Sequence, residues 1–319
     1  MSNVVSVVMD PIESINPKKD STLLLMLVLQ SAGNKIYYIK PEDMFVKDGK
    51  TFCYRSPVKL FDDNTHWFEL GEPEQAQLQQ GDSVFMRLDP PFDMRYIYLT
   101  YMLELAEKAG AHVVNKPQSI RDCNEKLFAQ WFPQCCPPTV VTQNSRELNH
   151  FLDEYETIVC KPLDGMGGAS IFLVKQDDMN KNVIFETLTE NGKQMIMAQK
   201  FLPEIREGDK RITLINGEPL PCAVARVPKA DDIRGNLAAG GSAHCQELTP
   251  RDLWLCQQVG PTLKAKGLLW VGLDVIGDYI TEINVTSPTC LRDVEVFFSA
   301  SSKKEGFLQK SLQSLMSAS

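Results

Sequence analysis

The sequence lacks a long apolar run and any excess of positive charge. Its longest clean apolar run, Thr22 to Leu29, is too short to span a bilayer, and the N-terminus lacks the basic region and cleavage site of a secretory signal. Lysines and arginines number 33 against 41 aspartates and glutamates, a formal charge of −8, which provides no electrostatic footprint for nucleic acid or an anionic membrane surface. We therefore expect a cytoplasmic protein that binds neither.

Histidines and cysteines show no pattern that would predict a metal site or a disulfide framework. The four histidines are scattered, and the nine cysteines, an odd number that includes the adjacent Cys135 and Cys136, have no C-x-x-C pair. We expect reduced thiols and no zinc. No G-x-G-x-x-G follows a strand and no G-x-x-x-x-G-K-[ST] occurs, so neither a dinucleotide site nor a P-loop is supported.

The first third of the chain alternates between strand-like and helix-like segments. Asp20 or Ser21 can cap an apolar helix from Thr22 to Gln30, and a second helix-like run ends at Gly110. The strand-like runs are NVVSVVM, NKIYYIK, DSVFMRL and AHVVN. The alternation predicts a mostly parallel sheet covered by helices, that is, a doubly wound α/β domain.

Beyond a proline-rich connector, FPQCCPPTVVTQNS, the pattern shifts to strands in close succession, so the fold is α+β in part. Asn216 and Gly217 stand between two apolar runs, which is a strong short-range hairpin signal. The polar, glycine-rich segment PKADDIRGNLAAGGSAHC follows. A loop of that length inside a compact domain is usually functional or disordered.

The stretch CKPLDGMGGASIF places Gly165, Gly167 and Gly168 between the apolar runs Thr157 to Cys160 and Ala169 to Val174. It therefore predicts a strand, a glycine-rich hairpin loop and a second strand. Glycine has no Cβ and tolerates positive φ, so backbone N–H groups of such a loop can approach a phosphate. A flexible hairpin tip is the alternative interpretation.

A second hairpin, in GLDVIGDYITEINVTSP, carries the sharpest polar constellation. Glu282 and Asn284 are two residues apart on a strand and share a face. A three-residue loop, Gly277 to Tyr279, would place Asp274 opposite Glu282, whereas a two-residue loop would place it opposite Thr281. The first register gathers two carboxylates and an amide oxygen, the hard ligands that suit Mg²⁺. A solvated strand face is the alternative.

Two arginines, Arg211 and Arg226, lie within strand-like runs, where an unpaired guanidinium would be costly. A polyphosphate with Mg²⁺ would provide partners for both. We therefore predict that the glycine loop, these cations and the acidic hairpin form one site.

The order of these features resembles the ATP-grasp fold, and longer blocks resemble the bacterial glutathione synthetase family. Together these blocks run from Met9 to Cys290 and so cover nearly the whole chain. The features are Lys126, Lys161, GMGG, AQKFLPE, Asp209 with Arg211, Asp274, Glu282 and Asn284. The blocks are MDPI, MRLDPPFD, NKPQSIRDCNEKLF, KPLDGMGGASIF, ARVPKADDIRGNLAAGG and VGLDVIGDYITEINVTSPTC.

The resemblance implies a nucleotide site and a metal site. Lys126 and Lys161 would contact the phosphates of ATP, and the metal would be Mg²⁺, with Mn²⁺ as a possible substitute. The loop closing over the phosphates would comprise Gly165, Met166, Gly167 and Gly168. The adenine pocket would comprise Gln199, Lys200, Phe201 and Leu202, with Asp209 and Arg211 nearby. The metal ligands would be Asp274, Glu282 and Asn284.

The resemblance also implies the reaction, the ligation of γ-glutamylcysteine and glycine through an acyl phosphate. ATP would phosphorylate the cysteinyl carboxylate, and the glycine amine would then displace phosphate. The loop at about 228–242 would serve as a mobile lid that excludes water. The residues implied in catalysis are Arg211, Arg226, Arg234, Asn236, Gly240 and Gly241, with Arg226 also contacting the substrate.

One further site is derived from the residues themselves. Ser287 can cap a helix that begins with Pro288, and such a helix N-terminus would be a site for a substrate carboxylate. We therefore predict that Ser287 and Thr289 bind substrate; a merely capped helix is the alternative.

Relatives imply three domains and a homo-oligomer, specifically a tetramer. The predicted domains are an N-terminal α/β domain, 1–122, a central lid subdomain, 123–200, and a C-terminal domain, 201–319. Ser242 and Leu88 stand where relatives tend to carry basic residues, which bears on substrate recognition. The rivals are another ATP-grasp carboxylate–amine ligase, such as one making a D-alanine dipeptide or extending a protein tail, and a non-catalytic ATP-binding regulator.

Overall fold

The computed structural model describes residues 4–165, 167–229, 242–299 and 306–316. Within these residues the strands form three sheets, which follow one another along the chain. None of the helices in the described ranges has the length and apolar character needed to cross a membrane.

The first sheet has eight strands in the described residues, and its centre is parallel. β1, β2, β7 and β8 run parallel in the order β2-β1-β7-β8, while β3 to β6 pair antiparallel through β4. The elements are β1 Val4–Met9, α1 Ser21–Ser31, β2 Lys35–Ile39, β3 Met44–Lys47, β4 Lys50–Leu60, β5 Phe68–Leu70, β6 Glu74–Gln77, β7 Asp82–Arg87, α2 Met94–Lys108, β8 His112–Val114 and α3 Pro117–Asp122.

Local sequence signals account for the parallel part of this sheet. The Asp20 side chain accepts a hydrogen bond from Leu23 N and caps α1, as predicted, which satisfies one of the free N–H groups of the first turn. α1 packs on one face of the sheet and α2 on the other. The predicted strands and the doubly wound arrangement are therefore confirmed, but the antiparallel strands β3 to β6 were not predicted.

The second sheet has four strands in the order β11-β10-β12-β9 and a hydrophobic core of its own. That core includes Leu148, Ile158 and Phe185, and it shares no buried residue with the two larger core clusters. The elements are β9 Thr139–Thr142, α4 Ser145–Tyr155, β10 Thr157–Pro162, β11 Phe172–Lys175, α5 Lys181–Leu188 and β12 Ile196–Lys200.

The third sheet is antiparallel, with five described strands in the order β15-β14-β13-β16-β17. The predicted Asn216-Gly217 turn joins two of them, with φ of +54° and +82° at its two residues. The elements are β13 Asp209–Ile215, β14 Glu218–Val227, β15 Ser242–Glu247, α6 Pro250–Ala265, β16 Trp270–Ile276, β17 Tyr279–Asn284, α7 Leu291–Ser299 and α8 Phe307–Ser314.

The first and third sheets share their cores, because residues of both sheets pack in each of the two larger clusters. Buried Asn115, just after β8, adds polar contacts between them. Its Oδ1 accepts hydrogen bonds from the N–H groups of Leu269 and Trp270 at 2.7 and 2.8 Å, and its Nδ2 donates to the carbonyls of Trp270 and Val285. The start of β16 and the end of β17 are thereby fixed to the first sheet.

Candidate active site

A cavity of about 320 Å³ is lined by the second and third sheets. Its lining also includes Asp89 and Pro90, which follow β7, and the segment after β17. Every predicted site residue within the described ranges lines this cavity. These are Lys126, Lys161, Gly165, Gly167, Gly168, Gln199, Lys200, Phe201, Leu202, Asp209, Arg211, Arg226, Asp274, Glu282, Asn284, Ser287 and Thr289.

The acidic hairpin β16–β17 brings Asp274 opposite Glu282, as predicted, but by a different route. Its turn has two residues, Gly277 and Asp278, because Ile276 pairs with Tyr279; the predicted three-residue loop is wrong. A β-bulge at Thr281 adds one residue to β17 and restores the pairing of Asp274 with Glu282. Gly277 has φ of +55°, which suits the first position of a two-residue hairpin turn.

Asp274 lies at the centre of an ion-pair network. Arg211 donates to both of its oxygens, through Nε and, at 3.1 Å, through Nη2. Arg226 Nη2 is 3.0 Å from Asp274 Oδ2 and also binds Asp209 Oδ2. The sequence predicts a polyphosphate with Mg²⁺ as partner for both guanidiniums; in the structure the carboxylates that line the cavity already pair with them.

The network shifts its two carboxylates in opposite directions. Burial by itself would raise the pKa of Asp274, but Arg211 and Arg226 outweigh it and hold that pKa well below its usual range. Burial raises the pKa of Asp209 to about 6, because Arg226 offsets it only in part and Asp274 adds a like charge. Asp274 is therefore the member that stays ionised most firmly.

Two buried lysines, Lys126 and Lys161, contact strand β17 of the acidic hairpin. Lys126 Nζ donates to Gly165 O at 2.6 Å and lies 3.1 Å from Glu282 Oε1. Lys161 Nζ donates to Thr281 O at 3.2 Å. Burial lowers the pKa of Lys161, and the charge of Lys126 lowers it further. Lys126 Nζ therefore lies beside both the acidic hairpin and the glycine loop, and Lys161 Nζ lies beside the acidic hairpin.

Lys126 lies between two helical segments and is not on an α-helix. α3 ends at Asp122, and a 3-10 helix begins at Leu127. Asn124 accounts for the break, because its Oδ1 accepts hydrogen bonds from the N–H groups of Lys126 and Leu127. A side chain that bonds nearby backbone in this way competes with the helix ladder.

The glycine-rich hairpin is formed by β10 and β11. Its second strand begins at Phe172 rather than Ala169. Gly167 and Gly168 have φ of +64° and +79°, conformations that favour glycine. Gln199 and Lys200 end β12 beside it, and Phe201 and Leu202 follow at once; Gln199 Nε2 donates to Thr139 Oγ1 at 3.1 Å.

Ser287 does not cap a helix, because α7 begins at Leu291 rather than Pro288. Cys290 has φ of +80°, which no α-helix continues, and Leu291 N donates to Ser21 Oγ instead. No helix N-terminus is therefore available at Ser287 to bind a substrate carboxylate, although Ser287 and Thr289 still line the cavity. Arg87 Nη2, donating to Pro288 O at 2.8 Å, fixes the segment.

Asp274, Glu282 and Asn284 form a donor set that fits Mg²⁺. All three offer oxygen atoms to the same cavity. Asn284 donates its Nδ2 to Gly272 O at 3.2 Å, so its Oδ1 is the atom left to accept or coordinate. Among the described residues no three His, Cys, Asp or Glu side chains gather at one point.

Sequence reasoning missed several residues that line the cavity, above all Glu125 and Asp89. Burial raises the pKa of Glu125, and the charge of Glu282 raises it further. Glu125 directly precedes a predicted phosphate lysine, and Asp89 lies within the quoted block MRLDPPFD, so position in a motif was the available signal.

Five predicted site residues lie outside the described ranges, together with most of the predicted lid. They are Met166, Arg234, Asn236, Gly240 and Gly241. Of the two departures from relatives, Ser242 begins β15 and Leu88 packs against a core cluster.

Comparison with known proteins gives consistent matches over nearly the whole chain. The model of the prokaryotic glutathione synthetase N-terminal domain matches residues 4–121, and that of the same family's ATP-grasp domain matches residues 125–299. The glutathione synthetase of Pseudomonas aeruginosa is 53% identical over 93% of this chain and 94% of its own length. That of Pseudomonas putida is 52% identical with the same coverage.

Solved structures resemble the chain at much lower identity. The ATP-grasp ligase PsnB, complexed with a minimal precursor, aligns with a TM-score of 0.64 at 17% identity, covering 100% of both chains. The D-alanyl-alanine synthetase A of Vibrio cholerae aligns with a TM-score of 0.60 at 10% identity, again covering 100% of both. Such likeness shows the fold alone, and it confirms the predicted ATP-grasp fold.

Proposed function

The chain belongs to the prokaryotic glutathione synthetase family, and from that membership we propose how the cavity joins γ-glutamylcysteine to glycine at the expense of ATP. The observation that carries the proposal is the convergence of all described residues of the predicted set on one cavity. The reaction is the ATP-dependent carboxylate–amine ligation that defines the family, and its products are glutathione, ADP and phosphate.

Two displacements make up the reaction. A cysteinyl carboxylate oxygen attacks the γ-phosphorus, the bond to the bridging oxygen breaks, and ADP leaves. The unprotonated glycine amine then attacks the acyl carbon, the bond to the phosphate oxygen breaks, and the nitrogen loses a proton. Both steps concentrate negative charge, so the protein contributes mainly by placing cations and excluding water. No covalent enzyme nucleophile is required.

The lysines are assigned to the nucleotide phosphates. Lys126 and Lys161 are buried, at 5% and 7% exposure, and both reach the boundary between the glycine loop and the acidic hairpin. A buried ammonium gains most from an anionic partner, because burial has already removed its water. Backbone N–H groups at Gly165, Gly167 and Gly168 would approach the same phosphates, and Gln199 to Leu202 would line the adenine pocket.

Asp274, Glu282 and Asn284 are assigned to Mg²⁺, for which Mn²⁺ could substitute. When bound, the metal would neutralise charge that develops on the transferred phosphoryl group. Arg211 and Arg226 keep Asp274 ionised, so this ligand needs no proton loss before it binds a cation. The same arginines line the cavity and are assigned to the acyl-phosphate end, with Ser287 and Thr289 at the dipeptide.

The rival functions receive less support. The D-alanyl-alanine synthetase A of Vibrio cholerae is 10% identical to this chain, whereas the glutathione synthetase of Pseudomonas aeruginosa is 53% identical. A non-catalytic regulator would be expected to lack a phosphate lysine or a metal ligand, and all five of these residues are present. The tetrameric state and the three domain boundaries stay predictions, and light scattering after size exclusion would test the tetramer.

Phosphate release from Mg-ATP tests the function directly. The purified chain should release phosphate only when γ-glutamylcysteine and glycine are both present, with one tripeptide formed per phosphate. D-Alanine serves as the control substrate. Release with another carboxylate and amine pair alone would overturn the substrate assignment, and tight ATP binding without turnover on any pair would favour the regulator.

A further inference from the structure

Glu125 lies along the outer edge of β17, the strand that carries two of the three assigned metal ligands. Its carbonyl oxygen accepts a hydrogen bond from Ile283 N at 2.8 Å. Its carboxylate Oε1 accepts from Val285 N at 2.8 Å and from Thr286 N at 3.0 Å, and it also accepts from Thr286 Oγ1 at 2.8 Å. Because β17 ends the order of its sheet, no other strand in the described part of the chain pairs with this edge.

These contacts alternate with the assigned metal ligands along the strand. Ile283 and Val285 direct their N–H groups to the outer edge, while Glu282 and Asn284 pair with Asp274 and Gly272 of β16 on the inner side. The backbone on both sides of Asn284, and directly after Glu282, is therefore held by Glu125. Strand β17 is therefore held along both of its edges, by β16 on one side and by Glu125 on the other.

The next residue extends this arrangement to the ligand side chain itself. Lys126 Nζ reaches Glu282 Oε1 at 3.1 Å and Gly165 O at 2.6 Å. The backbone hydrogen bond of Glu125 sets the position of Lys126, because the two residues share a peptide unit. One dipeptide thus contacts the metal strand, a metal ligand and the glycine loop.

We propose that Glu125 is a positioning residue that aligns Glu282 and Asn284 for the metal by holding the outer edge of β17. The inference rests on the metal set of the proposed function. Replacing a residue that holds a metal ligand by hydrogen bonds commonly lowers metal affinity or activity by about 10- to 100-fold. Glu125 acts through its neighbours and need not touch the metal.

Three substitutions of Glu125 separate its possible contributions. Glu125→Ala removes the acceptor, Glu125→Asp keeps the charge but shortens the reach, and Glu125→Gln keeps an oxygen acceptor at nearly the same place. We expect Glu125→Ala to weaken Mn²⁺ binding by about 10- to 100-fold, Glu125→Asp to weaken it in the same direction, and Glu125→Gln to keep most of the affinity. The readout is the electron paramagnetic resonance signal of free Mn²⁺ during titration of the full chain, with ADP present and absent.

Asp252 provides a matched control. It is a buried carboxylate that accepts from Thr249 N at 3.0 Å and from Thr249 Oγ1 at 2.8 Å; it also pairs with Lys210 Nζ, and neither Asp252 nor Lys210 lines the cavity. Asp252→Ala should lower the free energy of unfolding, measured with urea and without metal, and leave Mn²⁺ affinity unchanged. If Glu125→Ala and Glu125→Asp behave like Asp252→Ala in both measurements, Glu125 only stabilises the fold and the proposal is overturned.

Glu282→Gln distinguishes a failure of this inference from a failure of its premise. Weakened Mn²⁺ binding in Glu282→Gln, together with wild-type binding in Glu125→Ala and Glu125→Asp, would overturn only the positioning role. Wild-type Mn²⁺ binding in Glu282→Gln would overturn the metal set, and the positioning role with it.

Discussion

Two hairpins line the cavity, and they are built in opposite ways. The metal hairpin, β16–β17, closes with a two-residue turn, and both edges of β17 are held by hydrogen bonds. The glycine hairpin, β10–β11, has only four paired positions and a long connection between its strands. A Cβ added at Gly167 would meet no atom of the described residues within 4 Å, whereas one added at Gly272 would meet Arg211 Cδ at 2.8 Å.

This difference follows from what each hairpin is assigned to bind. Carboxylates that hold a small cation must be fixed in place, and their charge is already balanced by Arg211, Arg226 and Lys126. A loop that offers backbone N–H groups to phosphates needs room for close approach, which glycine provides. We therefore expect substitutions in the metal hairpin to lower both stability and turnover, and substitutions in the glycine hairpin to affect mainly nucleotide binding.

Neutralising the metal ligands should have the largest effect. Asp274→Asn and Glu282→Gln should each lower kcat by about 100-fold or more, because metal stabilisation of transition-state charge is worth several kcal/mol. Asp274→Asn should also lower the free energy of unfolding by about 3–5 kcal/mol, because it removes the carboxylate that pairs with the buried Arg211 and leaves Arg226 paired with Asp209 alone. Glu282→Gln should lower the free energy of unfolding by less, because the Glu282 side chain is 21% exposed and pairs with one lysine.

Steady-state kinetics and urea unfolding of these two variants test the contrast. Near-normal turnover in both would refute the metal assignment. Equal losses of stability would show that the guanidinium pairs of Asp274 contribute no more than the single lysine of Glu282.

Adding one methyl group inside the metal hairpin comes next. The Cβ in Gly272→Ala would lie 2.8 Å from Arg211 Cδ and 3.0 Å from Pro288 Cβ, so Arg211 must move away from Asp274. We expect a loss of about 1–3 kcal/mol in the free energy of unfolding, as for overpacked cores, and a fall in kcat of about 10- to 100-fold. Wild-type stability in this variant would mean that the hairpin adapts as readily as the glycine loop.

Lys161→Met should separate nucleotide binding from stability. Burial lowers the pKa of Lys161, which means that the charged ammonium destabilises the folded chain. Bound phosphates would offset this loss of stability. We expect the KM for ATP to rise about 10- to 100-fold, the value of one charged hydrogen bond, with the free energy of unfolding unchanged or raised by about 1 kcal/mol. Lys161→Arg is the control that keeps the charge. A large loss of stability with unchanged ATP binding would contradict the phosphate role.

Sequence signals predicted the polar face of the metal hairpin correctly and its turn wrongly. The polar face of Glu282 and Asn284 follows from strand periodicity alone, whereas Asp274 is expected opposite Glu282 for only one of two loop lengths. The turn was mistaken because a three-residue loop and a two-residue turn with a bulge at Thr281 give the same pairing. Local sequence does not distinguish these two routes.

The wrong helix start at Pro288 has a long-range cause. Ser287 followed by Pro288 is a good helix-start signal, but the first helical N–H, that of Leu291, bonds to Ser21, 270 residues earlier. The partners of Arg211 and the hydrogen bonds of Glu125 also come from distant parts of the chain. Periodicity and local propensity carry no information about such contacts.

The smallest effect is expected for Gly167→Ala, and it provides the most direct test of the comparison. The new Cβ meets no atom of the described residues within 4 Å, so the expected penalty is that of the positive φ of +64°, about 1–2 kcal/mol, which falls on the loop. Relief of that strain in the free loop should displace the N–H groups from the phosphates. The KM for ATP should therefore rise about fivefold or more, with kcat nearly unchanged.

The free energy of unfolding in urea should fall less in Gly167→Ala than in Gly272→Ala, because the loop adds few contacts to the cooperative core. If the two alanine variants lose equal stability, the glycine loop is as firmly fixed as the metal hairpin. The division between a rigid metal site and an open phosphate site would then have to be abandoned.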